Sequence, residues 1–331
     1  MSKTILITGG SGFIGSNLLL YLAKKYPNYK FINLDKLTYA SNQSYLKPLD
    51  SFSNYEFIKG DINNRNFLDG VFNKYDIDII VNLAAESHVD NSIKNPLIFA
   101  ETNVIGTLNL LNVSLKRWKD KLKDKLFYHI STDEVYGALG DDGFFDEYSR
   151  YDPRSPYSAS KASSDHFVKS YFHTYSLPII ISNCSNNFGP NQFHEKLIPL
   201  FIKNIIESRR LPVYGDGKNI RDWIFVEDHV KAIDLILHKG QIGETYNIGG
   251  NNEIKNIDLV KLLIKLTDSK LKRKENYSLH LIDHVNDRLG HDYRYAIDNT
   301  KVMKEIGWKP SYNFEKGIDL TINWYIEKFS N

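Results

Sequence analysis

Thr4-Ile5-Leu6-Ile7-Thr8-Gly9-Gly10-Ser11-Gly12-Phe13-Ile14-Gly15 is the stretch that decides how this chain folds. A short apolar run, the right length for a buried strand, leads into glycines at 9, 12 and 15. It then continues into Leu18-Leu19-Leu20 and Leu22 of a helix that ends near Pro27. Gly9 permits a tight turn, Gly12 lets the backbone approach a pyrophosphate, and Gly15 lets the helix close on the strand. The first N–H groups of that helix and its positive dipole end then face the phosphates. Asp35 stands 20 residues beyond Gly15, at the end of the next apolar run, Phe31-Ile32-Asn33-Leu34. A carboxylate there accepts both hydroxyls of an adenosine ribose and repels a 2′-phosphate. Strand, glycines, helix and acid together predict a dinucleotide site that favours NAD over NADP.

The same alternation continues outward. Tyr55-Glu56-Phe57-Ile58, Ile77 to Leu83, Leu126 to Ile130 and Pro178 to Ile181 are further strand candidates, separated by helix-length spacers. That rhythm predicts an α/β, Rossmann-type, doubly wound parallel sheet. Ligands sit at the carboxyl ends of such strands. Asp61-Ile62 after the third strand therefore borders adenine, and Ala84-Ala85 after the fourth lines the pyrophosphate cleft. The rhythm weakens near Asn186. The division expected is an NAD-binding domain over 1–185, to which parts of the later chain return, and a smaller nucleotide-sugar-binding lobe over 186–331.

Composition narrows the partners. Lys+Arg 42 against Asp+Glu 40 leaves 42 − 40 = +2, no field that draws nucleic acid or an anionic membrane. The basic run Lys116 to Lys121 reads as a solvated face rather than a nucleic-acid patch. No apolar stretch approaches the ~18 residues of a membrane helix, and the N-terminus leaves no room for a signal peptide. The single cysteine, Cys184, excludes an intrachain disulfide and fits a reducing cytoplasm. His194-Glu195 lacks a second histidine at metal-binding spacing, so no metal is expected.

The chemistry is carried by Tyr157 and Lys161, which share a helix face behind Pro156. An ammonium near a phenol, with the positive nicotinamide, lowers a pKa that starts near ~10. Tyr21/Lys25 and four other pairs have the same spacing, so spacing alone is poor evidence. Position singles out Tyr157, which follows the fifth strand and the hydroxyls of Ser131-Thr132. Asp133 and Glu134 next to Thr132 are more acid/base equipment than hydride transfer needs. They also read as an ordinary acidic helix start.

These residues, in the order Thr132, Tyr157, Lys161, resemble the extended short-chain dehydrogenase/reductase family. Within it, Thr132-Asp133-Glu134 with Tyr157 and Lys161 looks like the catalytic set of the dTDP-glucose 4,6-dehydratase family. The likeness spans nearly the whole chain, including Ala84 to Asp90, Glu101-Thr102-Asn103, Asn183 to Asn187, Arg221-Asp222-Trp223 and Asp287 to Asp292. Departures are Leu289, where the family more often has Pro, and Ser41, where it has Gly.

The resemblance implies a lyase that makes dTDP-4-keto-6-deoxyglucose and water while regenerating NAD, for a deoxysugar such as rhamnose. It implies Asp133 as the acid at C6 and Glu134 as the base at C5. To the cofactor site it adds Phe13, Ile14, Lys36, Thr38, Thr102 and Asn187, with Tyr157 and Lys161 serving there too. It places Ser87, Thr132 and Asn186 on the glucosyl part. Around the nucleotide diphosphate it places Lys196, Leu197, Pro212, Tyr214, Arg221, Asn256, Arg288 and His291. It also implies a homodimer paired through helices near 97–117 and 157–175. Two other readings share the cofactor site: a UDP-sugar 4-epimerase or a 4,6-dehydratase on another nucleotide. A third is a nucleotide-sensing protein that lost catalysis.

Overall fold

The computed structural model describes residues 2–119 and 121–330. The apolar runs become β1 (Thr4–Thr8), β2 (Lys30–Asp35), β3 (Tyr55–Lys59), β4 (Ile79–Asn82), β5 (Leu126–Thr132) and β6 (Ile179–Cys184). Later come β7 (Asn186–Phe188), β8 (Leu211–Tyr214), β9 (Ile220–Phe225), β10 (Thr245–Ile248), β11 (Glu253–Lys255) and β12 (Ile282–Val285). Seven of them form one parallel sheet in the order β10-β6-β5-β4-β1-β2-β3. Strands β4, β5 and β6 are buried throughout, as a parallel sheet covered on both faces requires, whereas edge strand β3 is only partly buried. The expected Rossmann-type sheet is present.

Its helices are α1 (Phe13–Lys25), α2 (Arg65–Lys74), α3 (Val89–Lys94), α4 (Pro96–Phe99), α5 (Gly106–Trp118) and α6 (Pro156–Tyr175). They continue as α7 (Leu197–Ile206), α8 (Val226–Lys239), α9 (Asn256–Lys270) and α10 (Phe314–Ser330). Leu18 and Leu22 of α1 pack with Val230 and Ile233 of α8 on one face of the sheet. Leu68, Leu110 and Val168 of α2, α5 and α6 pack on the other. A separate core joins Phe188, Ile202, Leu211, Trp223, Leu263 and Ile318 in the C-terminal lobe.

Strand order reverses between β1 and β4, which opens a crevice at their carboxyl ends. β10 is the part of the later chain that rejoins the large sheet, with Thr245 opposite Ile181 and Ile248 opposite Cys184. Its four residues, Thr-Tyr-Asn-Ile, carry no apolar run that announces a strand.

The basic run at 116–121 is less uniform than a solvated face. Lys116 and Arg117 pair with Asp69 at 2.9 and 3.4 Å, but Trp118 is buried and its Nε1 donates to the Ile77 carbonyl at 2.9 Å. Asp120 lies outside the described residues. No helix among the described residues is long and apolar enough to cross a membrane.

Candidate active site

One cavity of about 710 Å³ opens at the switch point, and every residue singled out above for cofactor, substrate or catalysis lines it. On the cofactor side, Gly9 has φ +71°, and a Cβ there would sit 2.7 Å from the Ala84 nitrogen. A Cβ on Gly15 would collide with the Gly9 carbonyl, which is why helix and strand can close so tightly. α1 starts at Gly12 with no capping side chain and no acidic residue in its first turn. Its leading amides are thus left for an anion.

Asp35 sits at the end of β2, but it is busier than a ribose-only carboxylate. Oδ2 accepts the Ser11 amide at 2.9 Å, and Oδ1 accepts the Leu37 amide at 2.8 Å and the Ser41 hydroxyl at 2.9 Å. A carboxylate has about four acceptor sites, so room for one further hydroxyl remains. Lys36 and Asp61 form an ion pair at 2.7 Å beside the buried Ile62, the place expected for adenine.

A π-helical turn, Ala100–Ile105, joins α4 to α5 and turns Asn103 inward. Asn103 accepts the Glu86 amide at 2.8 Å and donates to Ser160 Oγ at 2.8 Å. The loop after β4 is thereby tied to α6.

α6 is started by a reciprocal capping box between Ser155 and Ser158, with Pro156 at its first position. That start places Tyr157 in the first turn and Lys161 in the second, facing the end of β5. Lys161 Nζ donates to the Ile130 carbonyl at 2.8 Å and lies 3.3 Å from His129 Nε2. Burial lowers its pKa, and the Asp165 carboxylate works against that. Asp165 itself accepts Ser131 Oγ at 2.7 Å and Tyr151 OH at 3.1 Å; Ser131 and Thr132 both line the cavity, and the Ser131 hydroxyl proton is committed to Asp165. Burial, then Glu134 and Cys184, push the Tyr157 phenol well above its ordinary range, while a Thr132 hydrogen bond pulls the other way. The low phenol pKa expected of the Tyr157/Lys161 pair is not conferred by this chain's own charges.

Asp133 and Glu134 open a short 3₁₀ turn, Asp133–Tyr136, capped by Thr132, whose Oγ1 accepts the Glu134 amide at 3.3 Å. The helix-start reading and the acid/base reading therefore describe the same residues. Asp133 is buried, and its Oδ2 has no partner among the described residues. Burial, then Glu134 and Asp222, hold its carboxyl well above the usual range. Burial also raises Glu134, but Lys196, Arg221 and Arg288 oppose it. Burial thus raises both adjacent carboxyl groups, and cations oppose it chiefly at Glu134.

On the lobe side, Asn186 Oδ1 and Asn256 Oδ1 are buried without partners among the described residues. Asn187 accepts from His229 at 2.8 Å and donates to the Ser185 carbonyl at 2.9 Å. Arg221 is held by the carbonyls of Ile220 and Asp292, at 2.7 and 2.9 Å, and by the face of Tyr295. Lys196 donates to the Ser87 carbonyl at 2.7 Å. β8 and β12 pair in parallel, with Val285 opposite Tyr214. That register brings Arg288 over the Tyr214 ring at 5.1 Å and His291 edge-on to it at 6.1 Å.

The sequence profile of the GDP-mannose 4,6 dehydratase family matches residues 6–321. The chain belongs to this family. A probable dTDP-glucose 4,6-dehydratase of Sinorhizobium fredii (strain NBRC 101917 / NGR234) is 50% identical over 327 residues, 98% of this chain and 93% of the relative. The crystal structure of dTDP-glucose 4,6-dehydratase from Bacillus anthracis str. Ames, in complex with NAD, is 45% identical with a TM-score of 0.88, covering 99% of this chain and 98% of that one. That of dTDP-glucose 4,6-dehydratase from Streptomyces venezuelae, with NAD and TYD bound, is 40% identical with a TM-score of 0.90, covering 99% and 98%.

Sequence reasoning missed several residues that line this cavity or hold its lining. Asp165 was findable, because it lies four residues after Lys161 on the same helix face. Asp90 and Glu86 fell inside a quoted motif without receiving a role. Ser11 lay inside the glycine stretch and Ser41 was noted only as a departure from the family's Gly, and neither received the role of holding Asp35.

Proposed function

We propose that the chain is an NAD-dependent dTDP-glucose 4,6-dehydratase, a hydro-lyase that converts dTDP-glucose to dTDP-4-keto-6-deoxyglucose and water. The observation that carries this reading is the buried Asp133, with one oxygen unpartnered among the described residues, beside Glu134 and Tyr157 in one cavity. A 4-epimerase needs no such pair. The glycine turn, the uncapped start of α1 and Asp35 fit a dinucleotide, and Lys36, Thr38, Asp61, Ala84, Thr102 and Asn187 would hold the rest of it. When bound, NAD supplies the acceptor for hydride from C4, a positive charge beside Tyr157, and the hydride that later returns to C6.

The chain's residues do the proton work. Tyr157 takes the C4-hydroxyl proton while Thr132 hydrogen-bonds that oxygen and Lys161, with Asp165 near it, supports the phenolate. The new ketone acidifies C5. Glu134, kept ionisable by the cations above it, removes the C5 proton, and Asp133 protonates the C6 hydroxyl, which leaves as water. Glu134 then returns a proton to C5. Ser87 and Asn186 hold the hexose, while Lys196, Arg221, Asn256 and Arg288 surround the diphosphate and Pro212, Tyr214 and His291 the nucleoside.

The domain division near residue 185 belongs to this reading, with β10 as the returning part. So does a homodimer in a reducing cytoplasm: Leu97 in α4 and Ile105 in the π-helical turn are 72% and 50% exposed, and Phe167 and Tyr175 of α6 are exposed as well. Incubating the pure protein with dTDP-glucose, and separately with UDP-glucose, tests the function. Mass spectrometry should find a 4-keto product lighter by one water from dTDP-glucose. Epimerisation of either sugar with no loss of water would overturn it.

A further inference from the structure

The segment Ser87–Asp90, which leads from the loop after β4 into the first turn of α3, is fastened to the later part of the chain at both ends. Lys196 holds the Ser87 carbonyl at 2.7 Å. At the other end, Asp90 Oδ1 accepts Arg288 Nε at 2.6 Å and Oδ2 accepts Arg288 Nη2 at 2.9 Å, across 198 residues of sequence. Tyr214 OH also donates to Asp90 Oδ2 at 3.3 Å, while its ring lies beneath the Arg288 guanidinium.

We propose that Asp90 is a positioning residue for the nucleotide diphosphate, holding one edge of Arg288 so that the other edge meets the phosphates in a fixed plane. A guanidinium carries five donors in a flat fork and can serve two oxyanions at once through different edges. Asp90 occupies the Nε/Nη2 edge and leaves the Nη1 side clear of its carboxylate. An arginine held this way has already lost the rotamer freedom that a loose side chain gives up on binding. The negative charge of Asp90 repels a diphosphate, so the inference is that orientation outweighs repulsion. Asp90 touches no reacting atom. It acts through Arg288, and this rests on the nucleotide-sugar reading above.

Calorimetric titration of the NAD-loaded protein with dTDP and with thymidine tests the inference. Asp90→Asn should weaken dTDP about tenfold, the scale of one charge-assisted contact, and leave thymidine unchanged. KM for the nucleotide sugar should rise in step while kcat holds, Asp90→Glu should recover most of the loss, and in an Arg288→Ala background Asp90→Asn should add nothing. Asp90→Ser takes the place of the amide variant if that variant does not fold. Unchanged or tighter dTDP binding would make Asp90 a competitor of the phosphates and overturn the inference. Equal weakening of dTDP and thymidine would reduce it to a tie between lobes. Failure of the unaltered protein to bind dTDP at all would remove the nucleotide-sugar reading itself.

Discussion

Asp133→Asn should stop the reaction half-way and do so without harming the fold. The carboxyl is 2% exposed, one oxygen meets Thr132 Oγ1 at 3.3 Å, and the other has no partner among the described residues. An amide of the same shape keeps the first contact and loses only the proton. A positioned acid is worth ~10²–10⁴-fold, or about 3–5 kcal/mol at 1.36 kcal/mol per decade. In the proposed mechanism C4 oxidation relies on Thr132, Tyr157 and Lys161, so mixing with dTDP-glucose should still raise the NADH absorbance in a stopped-flow instrument. The signal should then persist, with turnover down by that factor.

Stability gives an independent reading of the same group. Its raised pKa means the folded protein keeps a proton that the unfolded chain releases near the ordinary aspartate value. The contribution is full below that value and is lost as pH rises towards the folded pKa. The variant should therefore gain thermal stability relative to the parent as pH increases across that window. Normal turnover, or a variant whose relative stability falls with rising pH, would refute the assignment of Asp133 as a buried acid.

Glu134→Gln should also accumulate NADH but should slow exchange of the C5 proton with deuterated solvent, read by mass spectrometry of recovered sugar; normal exchange would remove its role as base. Tyr157→Phe should bind NAD and never reduce it, and an NADH burst in that variant would mean the wrong tyrosine. Gly9→Ala must adopt φ +71° and push against Ala84, which costs at least ~1–2 kcal/mol of backbone strain, so NAD affinity should fall about tenfold or more by fluorescence titration. Parental affinity would show that the turn relaxes freely. Leu97→Glu with Ile105→Glu should turn a dimer into a monomer in sedimentation velocity, and an unaffected dimer would place the interface elsewhere.

The parts of this protein legible in sequence are those in which neighbours along the chain are also neighbours in space. The β1 turn into α1 compresses a strand, a glycine turn and an uncapped helix start into a dozen residues. Thr132, Asp133 and Glu134 sit together because a strand ends there, and Ser155 and Pro156 announce the helix that carries Tyr157. What stayed hidden depends on distant pairing. Asp165 shares a helix face with Lys161, but its ties to Ser131 and His129 exist only because β5 lies beside α6. Asp90 meets Arg288 only through the β8/β12 register. The acidity of Tyr157 is a property of its burial, which no local pattern encodes, and the oxygens of Asp35 are shared with Ser11 and Ser41 because two loops converge on it.

β10 pairs with β6 from beyond the C-terminal lobe's first helix, and this bears on how the protein is made. A growing chain can lay down β1 to β6 and cover them with α2, α5 and α6. Yet β6 remains a bare, apolar sheet edge until residue 248 has left the ribosome. An unpaired edge of that kind is where strands of other molecules add. Nascent or truncated chains that stop between β6 and β10 therefore hold most of a cofactor site together with an adhesive margin. The chain beyond β6 supplies the strand that seals the sheet, so a chain cut at residue 185 exposes that edge.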